Sequence, residues 1–390
     1  MVFSVRLVLF TGKGGVGKTT LAAATGATLA TQGKRTLVVS TDPAHSLADA
    51  YGMRLGPEPT EVDRRLDAVQ IDSRSLADSA WQRLRGQLGH ALSGIGVDAL
   101  DAAELTVLPG VDDLLALGEV RRLTATKHWH AVVVDCGPTA ETLRLFALPE
   151  AVAGYLRRVY GWQPVSSRAR ALSGAAASVM ELGNHLESLR AMLTDREVTT
   201  VRLVLTPERM VVAETRRTLT ALALRGIRVD GIVANRLMPA AGLWRGGAAS
   251  WLRERRAQQE AVLAEAGAAG LSGVRLVEHR AAEPVGLDAL AEIAKELYGG
   301  GDPLAGEADD VAPMLRITES DEGYRLRISL PLAPDADVDL ARIDDDLAIT
   351  IDGFRRLVAL PRLLRPCEVI GAETDADGLV VLLTDPGGQA

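Results

Sequence analysis

The sequence contains the glycine-rich stretch Gly12-Lys13-Gly14-Gly15-Val16-Gly17-Lys18-Thr19. It fits the pattern G-x-x-x-x-G-K-[ST], and it lies directly after an apolar run and directly before a helical one. Glycines let such a loop curl so that its N–H groups point at phosphate oxygens, helped by the positive end of the following helix. The alternative is a chance match in a glycine-rich chain, and the strand–loop–helix context argues against it. The stretch therefore predicts a P-loop nucleotide site.

Side chains at and near this loop have distinct predicted roles. Lys18 is expected to neutralise the β- and γ-phosphates, and the Thr19 hydroxyl to ligate magnesium. Thr20 completes the predicted nucleotide-binding set of the loop. The run Val132–Asp135 is an apolar strand that ends in a carboxylate, the Walker B form, so Asp135 is expected to hold magnesium through a water. The predicted ligands are thus ATP and Mg²⁺.

Outward from the loop, the first three hundred residues alternate short β-branched runs with longer helical patterns. The predicted strands are Val5–Phe10, Thr36–Ser40, Ala68–Ile71, Ala131–Asp135, Val201–Thr206, Gly231–Asn235 and Val274–Val277. Continuous apolar runs separated by helices are typical of parallel strands covered on both faces. The predicted fold class for residues 1–298 is therefore α/β, a doubly wound, mostly parallel sheet.

Two long stretches without a convincing strand, about 73–126 and 151–197, interrupt this alternation. We expect them to be helical insertions that lie beside the sheet. Leucines fall at helical spacing in the second stretch: Leu182, Leu186, Leu189 and Leu193. Such a stripe packs either against neighbouring helices and the sheet or against an apolar client.

The pattern changes after Tyr298. Residues 299–313 are rich in Gly, Pro and acidic residues, which predicts a linker between independently folding domains. Beyond it, short runs alternate with period two and are separated by turns such as Asp352-Gly353. Residues 314–386 are therefore predicted to form a small all-β sandwich.

The composition excludes several classes of function. A formal net charge of −8 gives no general attraction to nucleic acid or anionic lipid. Two cysteines, Cys136 and Cys367, make neither a disulfide framework nor a four-thiolate zinc site, which favours a reducing cytoplasm. Because no stretch reaches 18 apolar residues, we expect a soluble protein with at most peripheral membrane contact.

The stretch after the second predicted strand indicates which family of P-loop ATPases the sequence resembles. Ser40-Thr41-Asp42-Pro43-Ala44-His45-Ser46-Leu47 resembles switch I of the ArsA and tail-anchored protein targeting ATPases, and Asp135–Arg144 resembles their switch II. The resemblance implies that Asp42 positions and polarises the attacking water. Lys13 resembles the second lysine of the deviant Walker A group, which implies that it reaches a nucleotide in a facing subunit. The alternatives are a helix-capping role for Asp42 and a solvated loop charge for Lys13.

The resemblance covers Val5 to Tyr298 and extends to further site residues. Through it, Asn235 is expected to read adenine, and Pro207 and Glu208 to lie near the nucleotide and the facing subunit. A buried strand-end Asn is the alternative. The family implies a dimer, either of this chain or with a paralogous ATPase subunit, that handles an apolar protein client or a small ligand. The last domain resembles an α-crystallin, or small heat-shock protein, fold, and a generic β-sandwich is the alternative.

The sequence departs from the family pattern at several positions, and these departures limit which of the family's properties can be expected of this chain. Switch II has Ala140-Glu141 where Gly-His is usual, and no C-x-x-C pair follows Asn235, which excludes a zinc-bridged dimer of that form. Arsenite efflux is disfavoured because a three-cysteine cluster is lacking. A MinD- or ParA-like positioning ATPase is disfavoured by the acidic linker and β domain. A nucleotide-stabilised scaffold without turnover is disfavoured by the intact catalytic set. The client, a membrane receptor and the dimer's composition stay open.

Overall fold

A computed structural model describes residues 5–42, 46–71, 111–126, 128–139, 142–143, 175–268, 271, 273–305, 315–320, 323–329, 332, 336–375 and 378–384. The chain divides into two compact units. Unit 1 comprises residues up to Arg202 together with Arg280–Ala305, and unit 2 comprises Leu203–His279 together with the residues from Gly306 onward. The described helices are α1 Lys18–Thr31, α2 Ser46–Tyr51, α3 Val111–Ala125, α4 Ala175–Thr194, α5 Arg209–Leu224, α6 Gly247–Ala268 and α7 Leu287–Tyr298.

Strands fall into an α/β group and an all-β group. The α/β group is β1 Arg6–Gly12, β2 Thr36–Ser40, β3 Thr60–Asp63, β4 Leu66–Gln70, β5 Ala131–Pro138, β6 Thr199–Leu205, β7 Val229–Leu237 and β8 Val274–Glu278. The all-β group is β9 Leu315–Ser320, β10 Gly323–Ser329, β11 Val338–Ile343, β12 Asp346–Ile351, β13 Phe354–Ala359, β14 Glu368–Asp375 and β15 Gly378–Thr384.

The α/β strands form one sheet in the order β3-β4-β2-β5-β1-β6-β7-β8. The pairs β1–β5, β2–β5, β2–β4 and β7–β8 are parallel, and β3–β4 is antiparallel. The predicted doubly wound, mostly parallel α/β class is therefore confirmed. Strand β3 was not predicted, because this short edge strand has half of its side chains exposed and lacks an apolar run.

Helix α1 packs closely on the sheet and so fixes the position of the loop before it. A Cβ added to Gly26 would lie 2.2 Å from Val38 Cγ2, so only glycine allows α1 to approach β2 this closely. The strand beneath is buried along its whole length, as its continuous apolar sequence predicts. The P-loop is thus held between a buried strand and a tightly packed helix.

A buried arginine ties the end of α7 to the rest of unit 1. Arg202 is 1% exposed and donates to Tyr298 Oη at 2.8 Å and to the Pro303 carbonyl at 3.0 Å. Lys34 forms an ion pair with Asp302 at 2.7 Å. Residues 299–305 of the predicted linker therefore belong to unit 1, whereas residues 306–314 lie outside the described residues.

The predicted helical insertions are described in part. In the first, α3 places Arg121, which donates to Ser188 Oγ of α4 at 2.8 Å. In the second, Leu186, Leu189 and Leu193 are buried, as the stripe predicted. Residues 72–110 and 144–174 lie outside the described residues, and so do the side chain of Leu182 and its contacts.

The all-β strands form a four-stranded sheet, β14-β15-β10-β9, and a three-stranded sheet, β11-β12-β13. Their apolar side chains share one core, which confirms the predicted small all-β domain. One member of that core comes from outside the strands. Leu224, the last residue of α5, is 1% exposed within the same cluster, and Ala223 packs against it. Helix α5 therefore contributes a side chain to the core of the β domain.

Candidate nucleotide site

The predicted loop follows β1 directly and leads into α1. Gly15 and Gly17 have φ values of 80° and 95°, a left-handed backbone that favours glycine. A Cβ built at Gly14 or Gly15 would meet no atom within 4 Å, so the loop backbone borders open space. An open, glycine-lined loop at a helix N-terminus fits a phosphate group. The structure brings together at this turn Gly12, Lys13, Gly14, Gly15, Val16, Gly17, Lys18, Thr19 and Thr20.

Lys18 is a largely buried cation in this loop. It is 5% exposed, and its Nζ donates to the backbone carbonyl of Lys13 at 3.3 Å. A buried ammonium group is costly unless an anion compensates it. The position of Lys18 therefore fits the predicted contact with nucleotide phosphates. Its hydrogen bond also holds the backbone of Lys13, a residue that is itself exposed.

The hydroxyl of Thr19 meets a second hydroxyl. Thr19 Oγ1 lies 2.9 Å from Ser46 Oγ, the first residue of α2. This contact joins the predicted metal ligand on α1 to α2, the helix that begins within the switch I motif. Ser46 lies inside the switch I motif, but the sequence pattern did not predict a role for it.

Asp135 is the most deeply buried acid of the site. Its backbone is in register with Phe10 of β1 and Ser40 of β2, and its Oδ2 accepts a hydrogen bond from Ser40 Oγ at 3.3 Å. Its Oδ1 is buried and accepts no hydrogen bond within the described residues. The pKa of Asp135 is raised to about 7, chiefly by burial; Thr19, Lys18 and Ser40 oppose the rise, and the charge of Asp42 adds to it.

These features of Asp135 test the fit of a metal ion. A buried carboxylate oxygen without a partner is rare unless a ligand completes it. Oxygen ligands, here a carboxylate and the hydroxyl of Thr19, are those that Mg²⁺ prefers. The donors present therefore fit Mg²⁺, with Thr19 and Asp135 as the residues that would hold it.

Asp42 lies at the carboxyl end of β2, half exposed. Its backbone N–H donates to Ser40 Oγ at 3.3 Å, and its carbonyl accepts from Gln70 Nε2 at 3.3 Å. The preceding residue, Thr41, donates its N–H to the Asp135 carbonyl at 2.9 Å. The predicted water-orienting acid and the predicted magnesium ligand therefore share one hydrogen-bonded cluster. Residues 43–45 of switch I lie outside the described residues.

The stretch that resembles switch II begins inside β5, at Asp135, and continues beyond the end of the strand at Pro138. Thr142 Oγ1 donates to the carbonyl of Gly137 at 3.0 Å and to that of Pro138 at 3.3 Å, which closes the turn after Asp135. The unusual pair at 140–141 lies outside the described residues. Cys136 is a buried free thiol whose pKa is raised, chiefly by burial.

Unit 2 holds the remaining predicted residues. Pro207 is buried, and Glu208 is exposed at the start of α5, where it pairs with Arg255 at 3.2 Å. Asn235 is half exposed near the end of β7, and its Oδ1 accepts from the N–H of Arg236 at 2.9 Å. Because Asn235 is not fully buried, its surroundings differ from those of a core strand-end Asn. Its role in reading adenine stays a prediction.

Sequence reasoning missed one residue of the cluster entirely. Gln70 ends β4 and belongs to no motif, so no signal in a single sequence separates it from an ordinary strand-end residue. Within the described ranges, no group of three or more His, Cys, Asp and Glu residues lies together as a metal site. None of the helices in the described part of the chain is long and apolar enough to cross a membrane.

Comparison with known proteins agrees with this geometry. Residues 5–299 match the family described as Anion-transporting ATPase, and residues 321–383 match the HSP20-like domain found in ArsA.

Relatives include Protein Rv2184c of Mycobacterium tuberculosis, 36% identical over 96% of this chain and 95% of its own length. A Prosthecochloris vibrioformis protein, provisionally named an arsenical pump-driving ATPase, is 33% identical over 92% of this chain and 90% of its own length. ATPase GET3 of Chaetomium globosum is 31% identical over 60% of this chain and 74% of its own length. The chain therefore belongs to the ArsA family of anion-transporting ATPases, in the form that carries a C-terminal HSP20-like domain.

Proposed function

We propose that the protein binds ATP with Mg²⁺ at the P-loop and hydrolyses it as a nucleotide-gated dimer. The observation that carries the proposal is the cluster around Asp135. A buried carboxylate with an unbonded oxygen lies near the Thr19 hydroxyl, the Lys18 ammonium and the Asp42 carboxylate. Family membership and the open glycine loop support the same activity.

In the proposed reaction the chain positions its groups and supplies charge. Lys18 binds the β- and γ-phosphates, and the loop N–H groups bind phosphate oxygens. Bound Mg²⁺ supplies electrostatic stabilisation of charge on the transferring phosphoryl group. Asp42 accepts a hydrogen bond from the attacking water and aims it at the γ-phosphorus. Ser40 keeps Asp42 and Asp135 in fixed relation, because its hydroxyl contacts both residues.

The dimer is the finer part of the proposal. Lys13 lies exposed on the loop beside the site, and its carbonyl is held by Lys18. We assign it to the nucleotide of the facing subunit, where it stabilises transition-state charge as an arginine finger does in other P-loop enzymes. The facing subunit is a second copy of this chain or a paralogous ATPase. We assign Pro207 and Glu208 to positions near the facing subunit and Asn235 to contact with the adenine.

The proposed work of the dimer is to handle an apolar protein client or a small ligand through the helical insertions. Support comes from family membership and from the helices α3 and α4, which contact each other through Arg121 and Ser188. The proposal allows only peripheral contact with a membrane. The proposed setting is the cytoplasm, where the buried thiols of Cys136 and Cys367 stay reduced.

The test of hydrolysis is Asp42→Asn, which keeps the side-chain shape and removes the charge that orients water. We expect ATP binding within a few-fold of wild type and kcat lowered by about 10² or more. The matched control is Asp49→Asn, the same change at an exposed acid of α2, which should leave kcat unchanged. Near-normal phosphate release by Asp42→Asn would remove Asp42 from the mechanism.

A further inference from the structure

Both backbone polar groups of Asp42 are held by side chains at the ends of two paired strands, β2 and β4. The N–H of Asp42 donates to Ser40 Oγ, and its carbonyl accepts from Gln70 Nε2, each at 3.3 Å. The position of the residue predicted to orient water therefore depends on β4 as well as on its own segment. Ser40 belongs to the switch I motif, whereas Gln70 comes from a different strand, β4.

The register of the sheet explains why Gln70 reaches Asp42. Ser40 is in parallel register with Gln70 on one side and with Asp135 on the other. Carboxyl ends of parallel strands meet at one edge of a sheet, where ligands bind in open α/β folds. Gln70 is thereby placed at this edge, one strand away from Asp42 and two strands away from Asp135.

The burial of Gln70 indicates a polar role. Its side chain is 5% exposed, although Gln is mostly a surface residue, and burying an amide is costly unless it is hydrogen-bonded. The backbone N–H of Gln70 donates to the Gly56 carbonyl at 3.0 Å, and the side-chain Nε2 donates to the Asp42 carbonyl. Oε1 is buried and accepts no hydrogen bond within the described residues. An apolar side chain would complete a buried strand at lower cost, so the contact with the Asp42 carbonyl is what the amide contributes at this position.

We propose that Gln70 is a positioning residue that holds Asp42 in line for hydrolysis. The inference rests on the proposed function, because it acts only through the water-orienting role of Asp42. Gln70 fixes the Asp42 carbonyl, Ser40 fixes the N–H, and together they hold the peptide units on both sides of the Asp42 side chain. Because small misplacements of a reacting group lower rates steeply, loss of this contact should lower kcat by about tenfold.

The test uses Gln70→Met in the full chain, which keeps the length and volume of the side chain and removes the amide. Expected is a kcat about tenfold lower, with KM for ATP unchanged within about twofold, because the contact orients water and does not bind nucleotide. Gln70→Asn, which keeps an amide but is one methylene shorter, should lose the contact as well and show the same split. The matched control is Gln32→Met, which removes an amide–carbonyl bond to Gly301 on the surface and should leave kcat unchanged.

A double-mutant cycle with Asp42→Asn separates positioning from a structural role. If Gln70 acts through Asp42, then adding Gln70→Met to Asp42→Asn should cause no further loss of kcat. An equal tenfold loss in both backgrounds, or wild-type kcat in folded Gln70→Met and Gln70→Asn, would overturn the inference while leaving the proposed function intact. Near-normal hydrolysis by Asp42→Asn alone would instead contradict the proposed mechanism.

Discussion

Leu224 offers the sharpest test of how the β domain is stabilised. This last residue of α5 is 1% exposed and shares a core with Leu326, Leu379 and other apolar residues of the β strands. Leu222 of the same helix is also fully buried but does not belong to that core. Residues two positions apart lie on opposite sides of a helix. The substitutions Leu224→Ala and Leu222→Ala therefore remove the same atoms on two different sides of α5.

The magnitude follows from burial. Truncation of a fully buried leucine to alanine costs about 3 kcal/mol, from lost transfer free energy and the cavity left behind. That free energy corresponds to roughly a 150-fold change in an opening equilibrium at about 1.4 kcal/mol per factor of ten. We expect Leu224→Ala to speed amide hydrogen exchange in β10 and β15 by about two orders of magnitude.

The assay is hydrogen exchange measured by mass spectrometry on full-length protein, because exchange reports opening region by region. Leu222→Ala should destabilise α5 and the α/β sheet but leave exchange in β10 and β15 near that of wild type. Equal acceleration in β10 and β15 by both variants, or no acceleration by Leu224→Ala, would refute the assignment of Leu224 to the β-domain core.

Two further predictions concern other parts of the chain. Ser46→Ala removes the hydroxyl 2.9 Å from Thr19 Oγ1, so the Mg²⁺ concentration needed for half-maximal hydrolysis should rise several-fold, and Ser46→Thr should restore it; an unchanged Mg²⁺ titration would contradict this coupling. Removal of all residues after Val311 uncovers Leu224 at the end of α5 but should leave nucleotide binding and basal hydrolysis largely intact, because the predicted catalytic residues all precede the β domain. Suppression of model-client aggregation, measured on both forms, should be lost. Collapse of ATPase activity in folded, truncated protein would make the β domain part of the catalytic unit.

Much of the fold and the centre of the site could be predicted because short-range patterns encode them. The loop motif requires glycines at positive φ, as Gly15 and Gly17 have, and its place between a strand and a helix is visible in the sequence. Continuous apolar runs predicted the central parallel strands, since strands covered on both faces need no alternation. Asp135 followed from its position at the end of such a run.

Features set by contacts between distant segments could not be predicted. Gln70 meets Asp42 only because β4 pairs with β2 in a particular register, which no motif records. Leu222 and Leu224 look alike in the sequence, and their environments differ because of strands more than a hundred residues later. Strand β3 was missed because an edge strand with half-exposed side chains lacks the apolar run of a central strand.

In the proposed mechanism, a dimer hydrolyses ATP at sites built from two subunits. The most direct measurement is phosphate release by an equimolar mixture of Lys13→Ala and Asp42→Asn proteins, each of which should be nearly inactive alone. If Lys13 acts in trans, one site of each mixed dimer combines an intact Asp42 with an intact Lys13 from the facing subunit. Random pairing makes half of the dimers mixed, so the mixture should reach about a quarter of the wild-type rate. A rate equal to the average of the two separate proteins, under conditions where subunits exchange, would contradict the action of Lys13 on the nucleotide of the facing subunit.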